Sequence, residues 1–256
     1  MIIAAFNPKG GVGKTTTAVN VAAVLASTGK SVLLVDLEAD LNASISLGVR
    51  PGETPRTIVD VLLKTSGPSD AVRPVPGLDN FFLITGSPAL AHLDQSLRNV
   101  RQPERRLADA LRPLERQFDA IVLDAPAGFG VMSLSVPIAA QHLIVPIRAE
   151  YLGLESLAQF LRWYRDLRSV RHATANVAGI LLTMVDYRRQ ATREIVDIIR
   201  THNRQGVLRT EIPLDPRVAE APSHGIPVVD YTRSRAGDAY VQLATELTRR
   251  ISRRAT

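Results

Sequence analysis

The residues best suited to chemistry lie close to the N-terminus, between Pro8 and Thr16, directly after a short apolar segment. Glycines in such a loop let backbone N–H groups turn inward around phosphate oxygens, and a helix that begins there adds its positive end. Lys14 is suited to neutralise the β- and γ-phosphates of ATP, and the Thr15 hydroxyl is suited to bind Mg²⁺. The predicted ATP-binding residues of this loop are Lys9, Gly10, Gly11, Val12, Gly13, Lys14, Thr15 and Thr16.

The loop departs from the strict phosphate-loop pattern G-x-x-x-x-G-K-[ST], because Pro8 stands where the first glycine belongs. It reads K-G-G-V-G-K-T instead, with an additional lysine, Lys9. An accidental glycine-rich turn is the alternative interpretation. A seven-residue match between a predicted strand and a predicted helix favours the phosphate-binding function.

Acidic residues follow two further apolar segments. Asp36, Glu38 and Asp40 come after the second predicted strand, and Asp124 ends a later one, followed by Ala-Pro-Ala-Gly128. A carboxylate at the end of a buried strand, downstream of a phosphate loop, typically binds Mg²⁺ through water. We therefore predict that Thr15, Asp36 and Asp124 hold the metal, and that Gly128 approaches the γ-phosphate because it has no side chain.

Short apolar runs alternate with longer segments of helical periodicity throughout the chain. Strands that are apolar on both faces, with helices between them, predict an α/β fold with a mostly parallel twisted sheet flanked by helices on both faces. Ligands of such sheets bind at the carboxyl ends of the strands. The predicted strands are 2–6, 31–35, 81–85, 120–123, 143–147, 177–184 and 207–212, and the predicted helices are 14–27, 57–64, 88–99, 104–116, 154–170, 192–202 and 238–253.

Composition narrows the class of protein further. The chain has no cysteine, which excludes disulfides, Cys-ligated zinc and Cys-ligated iron–sulfur clusters. No signal peptide or apolar run of membrane-spanning length is evident, so we expect a cytoplasmic protein without a membrane partner. The net charge of +6 lies wholly in residues 151–256, which contain 17 Arg, no Lys and 11 Asp or Glu. A polyanionic partner is one explanation, and a coding bias toward arginine is the other.

The loop sequence K-G-G-V-G-K-T resembles the deviant Walker A motif of the ParA/MinD family of P-loop ATPases. Segments 146–151, 179–186, 212–213 and 217–227 are similar to the chromosomal-type ParA (Soj) subgroup, so the resemblance covers essentially the whole chain. It implies a SIMIBI-type P-loop NTPase in which residues 1–256 form a single domain. The chain begins at the first strand without a helix-turn-helix extension, and autorepression at a specific operator is therefore not expected.

The resemblance also implies roles for single residues. Lys9 would reach across a dimer interface to the nucleotide of the partner, so that two chains sandwich two ATP molecules, and Pro213 would contact the adenine. By position Asp36 matches the first aspartate of the family motif V-D-L-D-P-Q-G-N, and Glu38 matches its catalytic second aspartate. The predicted catalytic residues are Lys9, Lys14, Asp36 and Glu38.

Glu38 is the main departure from the family motif, with Asp40 nearby as a second carboxylate that could share its role. A glutamate places its carboxylate about 1 Å further out than an aspartate, and a displacement of that size can cost about a hundredfold in rate. Slow hydrolysis without a partner is therefore expected.

ParA proteins bind DNA without sequence preference, and the resemblance implies the same here. Phosphate neutralisation by clustered arginines suffices for such binding. Arg217 is the strongest candidate, although each arginine taken alone could be an ordinary surface charge. The family often has P-R-N where this chain has Pro213-Leu214-Asp215, so one expected cation is missing there. The predicted DNA-binding residues are Arg188, Arg189, Arg193, Arg217, Arg233 and Arg235, with Arg200 and Arg204 as further candidates.

The combined expectation is an ATPase that partitions or positions a cargo on the nucleoid, stimulated by a ParB-like or other cargo-adaptor protein. The cargo could be a plasmid, a chromosome or a protein assembly such as a carboxysome or chemoreceptor cluster. A MinD-like regulator that cycles on a membrane is the alternative, and a metabolic P-loop ligase is a third possibility. For the stripe Tyr240, Leu243, Leu247 and Ile251 of the last helix, packing onto the domain is preferred over contact with DNA or a membrane.

Overall fold

An eight-stranded sheet forms the centre of the molecule. The computed structural model describes residues 1–171, 173–203 and 206–254. The strands are β1 (Ile2–Ala5), β2 (Val32–Asp36), β3 (Arg73–Pro74), β4 (Phe81–Ile84), β5 (Ala120–Asp124), β6 (His142–Arg148), β7 (Asn176–Val185) and β8 (Val207–Pro213).

The strand order is β3-β4-β2-β5-β1-β6-β7-β8, and every neighbouring pair is parallel except β3 with β4. β1, β2 and β5 are completely buried along their length, as expected for strands covered on both faces. The predicted mostly parallel sheet is therefore confirmed. The carboxyl ends of its parallel strands share one edge, and this edge carries the candidate site.

Eleven α-helices lie within the described residues. They are α1 (Lys14–Ser27), α2 (Asn42–Ser46), α3 (Ile58–Leu62), α4 (Leu93–Ser96), α5 (Arg106–Leu111), α6 (Val131–Ala139), α7 (Tyr151–Arg171), α8 (Gln190–His202), α9 (Arg217–Glu220), α10 (Val228–Tyr231) and α11 (Arg235–Arg254).

Two apolar layers pack against opposite faces of the sheet. The layer on one side is built largely from α5, α6, α7 and α8, and the layer on the other side from α1 and α11. On α11, Tyr240, Leu243 and Leu247 are 1%, 0% and 2% exposed, and Ile251 packs against the same layer. The preference for packing of this stripe onto the domain is thus confirmed.

The segment between β4 and β5 differs most from the prediction. Instead of continuous helices over 88–99 and 104–116, it contains 3₁₀ turns at Pro88–His92, Pro103–Arg105 and Leu114–Arg116 around the short α4 and α5. Pro113 lies inside the predicted helix 104–116, where its missing N–H interrupts the ladder, and α5 accordingly ends at Leu111. Helix α6 was not predicted, because Pro137 lies inside an apolar run that has no polar face.

Candidate functional site

The glycine-rich loop connects β1 to α1 at the carboxyl edge of the sheet. Gly11 and Gly13 have φ angles of +70° and +88°, which side-chain-bearing residues rarely adopt. Val12 is 1% exposed, and its carbonyl accepts a hydrogen bond of 2.9 Å from the Thr183 hydroxyl. The Ile147 carbonyl lies 3.0 Å from the same hydroxyl and shares its single proton, so β6 and β7 position the loop.

Lys14 is the first residue of α1, and only 5% of its side chain is exposed. Its Nζ donates to the Lys9 carbonyl at 3.2 Å and lies 4.0 Å from Oε1 of Glu38. Burial lowers the pKa of Lys14, while the charges of Glu38 and Asp124 raise it in opposition. Thr15 and Thr16 follow in the first turn, half-buried at the mouth of the loop. Gly10 and Gly11 are exposed there.

Asp36 and Asp124 are paired residues at the ends of the adjacent strands β2 and β5, and both are completely buried. Burial raises the pKa of Asp124 well above its usual range, and the neighbouring charge of Asp36 raises it further, although the Thr15 hydroxyl opposes both effects. Within the described residues, neither carboxylate oxygen of Asp124 has a hydrogen-bond partner of acceptable geometry. Two buried carboxyl groups therefore meet beside the phosphate loop, with Lys14 as a nearby cation.

Asp36 is held rigidly by its surroundings. Its Oδ2 accepts hydrogen bonds from the Ser44 amide at 2.9 Å and the Ser44 hydroxyl at 2.7 Å, and its Oδ1 accepts one from the Glu38 amide. Burial nevertheless raises its pKa. A Cβ atom at Gly86 would lie 2.7 Å from the Glu38 carbonyl and 3.2 Å from the Asp36 carboxyl, so the turn after β4 must carry glycine.

The donor set of Thr15, Asp36 and Asp124 fits Mg²⁺, a cation that prefers oxygen ligands and is commonly held by one or two carboxylates together with phosphates and water. Across the described ranges, no group of three or more His, Cys, Asp or Glu residues is arranged to hold a metal. A cation at this point would accordingly need phosphate and water oxygens to complete its coordination.

Glu38 connects the loop after β2 to the loop after β5. Its Oε1 accepts a hydrogen bond of 3.0 Å from the Ala127 amide, and its side chain is 20% exposed. Burial raises the pKa of this carboxyl, with the charge of Lys14 acting in the opposite direction. Gly128 follows with φ of +87°, and its amide donates to the Pro8 carbonyl at 2.8 Å. Asp40 lies exposed at the edge of the same group.

Lys9 contacts its own chain. Its Nζ donates to the Leu152 carbonyl in the first turn of α7 at 3.2 Å, and its amide donates to Asn7, which is 1% exposed. Asn7 in turn donates to the Pro146 carbonyl, so the start of the loop is fastened to β6.

Pro213 lies at the end of β8, opposite Val185 of β7, and lines a cleft of about 920 Å³. β7 also carries Thr183, whose Cγ2 would be 3.7 Å from a Cβ atom at Gly13. The cleft and the phosphate loop therefore lie along the same sheet edge.

Several predicted DNA-binding arginines surround this cleft. Arg188, Arg193 and Arg235 line it, and Asp215 accepts hydrogen bonds from the amides of Arg217 and Ala236 and so joins α9 to the start of α11. Arg189 and Arg233 are exposed nearby in sequence, while Arg204 lies outside the described residues.

Five of these arginines already have a polar partner within the chain, namely Arg188, Arg189, Arg193, Arg200 and Arg217. Arg188 donates to both oxygens of Asp186 at 2.7 and 2.9 Å, and Arg200 is ion-paired with Glu211. Arg200 is also the less exposed of the two, at 34% against 85% for Arg188. It is the weaker candidate for contact with a polyanion.

Sequence reasoning missed three supporting residues, Ser44, Gly86 and Thr183. Gly86 and Thr183 act through contacts with residues far away in the chain, and Ser44 acts across a turn eight residues after Asp36, so no local motif indicates them. The only available signal was position, because Gly86 follows a predicted strand and Thr183 lies near the end of another.

A phosphate loop on β1, acidic strand ends on β2 and β5 and a cleft at the ends of β7 and β8 define a P-loop nucleotide-dependent enzyme. A family model described as an AAA domain matches residues 1–176. The sporulation initiation inhibitor protein Soj of Bacillus subtilis is 34% identical over 96% of this chain and 97% of its own. The chromosome-partitioning ATPase Soj of Thermus thermophilus is 37% identical over 97% and 96%.

Among solved structures, cobyrinic acid a,c-diamide synthase from Mycobacterium smegmatis with bound ATP analogue and magnesium superimposes with a TM-score of 0.84. It is 30% identical and covers 98% of this chain and 95% of its own. The protein described here belongs to the ParA/Soj family of P-loop ATPases, as its loop and carboxy-terminal segments predict.

Proposed function

We propose that this ATPase is a partition or positioning switch. Two chains dimerise around two Mg·ATP molecules, the dimer binds DNA without sequence preference, and hydrolysis stimulated by an adaptor protein releases it. Residues 1–256 act as one ATPase unit in this scheme. The supporting relatives are partitioning ATPases similar over nearly their full length.

The observation that carries the proposal is the pair Asp36 and Asp124, buried at adjacent strand ends beside the phosphate loop. Burying two carboxylates without a cation is costly. Mg·ATP would supply that cation, with the Thr15 hydroxyl as a further oxygen ligand, and Mg²⁺ neutralises charge between the β- and γ-phosphates. The fold therefore keeps two buried carboxyl groups whose unfavourable burial is relieved when Mg·ATP binds.

The remaining residues have separate tasks in the proposed cycle. Lys14 neutralises phosphate charge, Glu38 orients the attacking water, and Pro213 contacts the adenine. Lys9 leaves its own chain and reaches the nucleotide of the partner. Because loss of the γ-phosphate removes charge that this lysine stabilises, hydrolysis weakens the dimer.

DNA binding follows from the arginines around the Pro213 cleft and the α9–α11 junction. Non-specific binding needs only neutralisation of phosphates, and a dimer presents the same arginines twice. A nucleoid-associated protein would result. The cargo, whether DNA or a protein assembly, is recognised through the adaptor.

The decisive experiment measures molecular mass by light scattering after size exclusion, with ADP, ATP or a slowly hydrolysed ATP analogue, each with and without plain duplex DNA. We expect a monomer with ADP, a dimer with the analogue and a DNA complex only with the dimer. A monomer under all conditions would contradict the proposal.

Two alternatives are tested with the same preparations. The similarity to cobyrinic acid a,c-diamide synthase from Mycobacterium smegmatis favours a metabolic ligase as the second candidate. That function predicts substrate-dependent turnover by a monomer. A MinD-like function predicts ATP-dependent co-sedimentation with liposomes instead of DNA. No helix among the described residues is long and apolar enough to cross a bilayer.

A further inference from the structure

The Glu38 carboxylate rests on two positively polarised groups at the phosphate loop. Its Oε1 accepts a hydrogen bond of 3.0 Å from the Ala127 amide and lies 4.0 Å from Nζ of Lys14. These contacts join three loops that are distant in sequence, following β1, β2 and β5. Together with the 20% exposure of the side chain, they show an anion seated in the site and not one directed to solvent.

Both groups belong to the surroundings of a terminal phosphate. Lys14 is the lysine of the phosphate loop. Ala127 faces the same loop, because a Cβ atom at Gly10 would lie 3.9 Å from the Ala127 Cβ, and the next amide, that of Gly128, donates to the Pro8 carbonyl at 2.8 Å. An anion held by Lys14 and the Ala127 amide is therefore where the outermost phosphate of a nucleotide would bind.

We propose that Glu38 is an internal competitor of the γ-phosphate and thereby sets the preference of this chain between ATP and ADP. The inference rests on the proposed ATP-dependent function. Two anions cannot share the same pair of donors, so ATP must displace the carboxylate from both. ADP, whose β-phosphate reaches Lys14 but not the Ala127 amide, leaves the hydrogen bond between Ala127 and Glu38 in place. Displacement also frees Glu38 for the incoming water.

The reach of a glutamate makes this possible. Asp36 lies two residues earlier on the same turn, but Ser44 and the Glu38 amide orient its carboxylate, and it makes no contact with Ala127. An aspartate at position 38 would end about 1 Å earlier, too short to keep both contacts without movement of the backbone. The competing carboxylate thus depends on the glutamate that this chain has at position 38 in place of the aspartate of the family motif.

The test compares Glu38→Gln and Glu38→Ala with the unaltered protein by calorimetric titration of ADP and of a slowly hydrolysed ATP analogue, both with Mg²⁺. Charge-assisted hydrogen bonds contribute about 1.5–3 kcal/mol, and 1.4 kcal/mol is a factor of ten. We expect Glu38→Ala to bind the analogue about tenfold more tightly or better, with ADP changed by less than about twofold. Glu38→Gln keeps a neutral acceptor for the Ala127 amide, so its affinity for the analogue should lie between those of the unaltered protein and Glu38→Ala.

The matched control is Glu115→Gln, which removes an exposed carboxylate just before the amino end of β5, at the opposite edge of the sheet. It should leave both affinities unchanged. If Glu38→Ala gains equally in affinity for the analogue and for ADP, or binds the analogue more weakly, the inference is wrong. Loss of ATP hydrolysis in the same variant would still support the role of Glu38 in the proposed function. Failure of the unaltered protein to bind either nucleotide would overturn both.

Discussion

Lys9 donates a hydrogen bond of 3.2 Å from its Nζ to the carbonyl of Leu152 in its own chain. The contact lies beside an apolar surface patch, since Phe129, Tyr151 and Leu152 are 50%, 69% and 56% exposed. Exposed apolar side chains next to a lysine whose Nζ is held by a backbone carbonyl form a surface suited to a second copy of the chain. In the proposed dimer, the lysine exchanges this contact for the phosphates of the partner.

The first prediction concerns Lys9→Gln. The change removes the positive charge that acts on the partner's nucleotide, and the lost contact with Leu152 is exposed and of little consequence for stability. We expect the analogue-dependent dimer to be lost, while analogue binding to the monomer and the melting temperature stay near those of the unaltered protein. Light scattering and calorimetric titration measure these quantities.

Lys64→Gln is the control for Lys9→Gln, because it makes the same chemical change at an exposed residue after α3. It should dimerise normally. A Lys9→Gln protein that still dimerises with the analogue would refute the trans role of this lysine.

The second prediction concerns Asp124→Asn. Asparagine removes a buried carboxyl whose ionised form is disfavoured by burial and by Asp36, and whose oxygens lack well-formed hydrogen bonds within the described residues. The nucleotide-free protein should therefore gain about 1–3 kcal/mol in free energy of unfolding at neutral pH. The same change removes a metal ligand, and the stabilisation by Mg·ATP should disappear. A higher free energy of unfolding together with a lost response to Mg·ATP is expected when a site is destabilised for the sake of function.

Chemical denaturation with and without Mg·ATP measures both effects of Asp124→Asn. Asp119→Asn serves as the comparison, because Asp119 lies at the other end of the same strand and accepts a hydrogen bond from the Ser31 amide. It should lose a little stability and keep the response to Mg·ATP. If Asp124→Asn is destabilised and still responds, the buried aspartate is structural.

The phosphate half of the site was predictable because it is local in sequence. Residues 8–16 are consecutive, the helix bounds 14–27 were predicted without error, and Asp36 and Asp124 each end an apolar run. Parallel topology then forces such strand ends to one edge of the sheet. The placement of Asp36 and Asp124 at one edge followed from the fold class, whereas their adjacency depends on the pairing of β2 with β5, which was not predicted.

The resting position of Glu38 was not predictable. It depends on the turn that brings Ala127 within 3.0 Å, and that turn depends on long-range contacts such as Gly128 with Pro8. Residues 88–116 were poorly predicted for a related reason, since their apolar residues fit helical periodicity while prolines and packing divide the segment into single turns.

The third prediction concerns Arg217 at the start of α9. Its side chain is 47% exposed, and its guanidinium lies 3.8 Å from Asp215. Arg217→Gln should reduce the dependence of DNA affinity on salt by about one unit of slope per contact and weaken binding similarly for all sequences. Arg217→Glu, which adds repulsion, should weaken DNA binding further while the analogue-dependent dimer persists.

Fluorescence anisotropy of labelled duplexes over a salt series, together with light scattering, tests Arg217. Arg116→Glu is the matched control, because Arg116 is exposed near the amino end of β5 and far from the Pro213 cleft. Unchanged DNA affinity for Arg217→Glu would remove this arginine from the DNA surface.

The fourth prediction concerns Glu246, which fastens α11 to β8. Its carboxylate accepts the amides of Arg209 and Thr210 and the Thr210 hydroxyl, each at 2.9 Å, and lies 3.1 Å from Arg250. Burial alone would raise its pKa, but these partners prevail and hold it below the usual 4.5. An acid with a lowered folded pKa stabilises the protein above its unfolded pKa, and that contribution is lost as pH falls through the folded pKa.

Glu246→Gln should therefore lose about 1–3 kcal/mol in free energy of unfolding at pH 7 and progressively less below about pH 4.5, because the unaltered protein then loses the same interaction. Urea denaturation between pH 3 and 7, beside the exposed Glu115→Gln, measures the difference, and a deficit independent of pH would show that packing and not the carboxylate charge joins the last helix to the sheet.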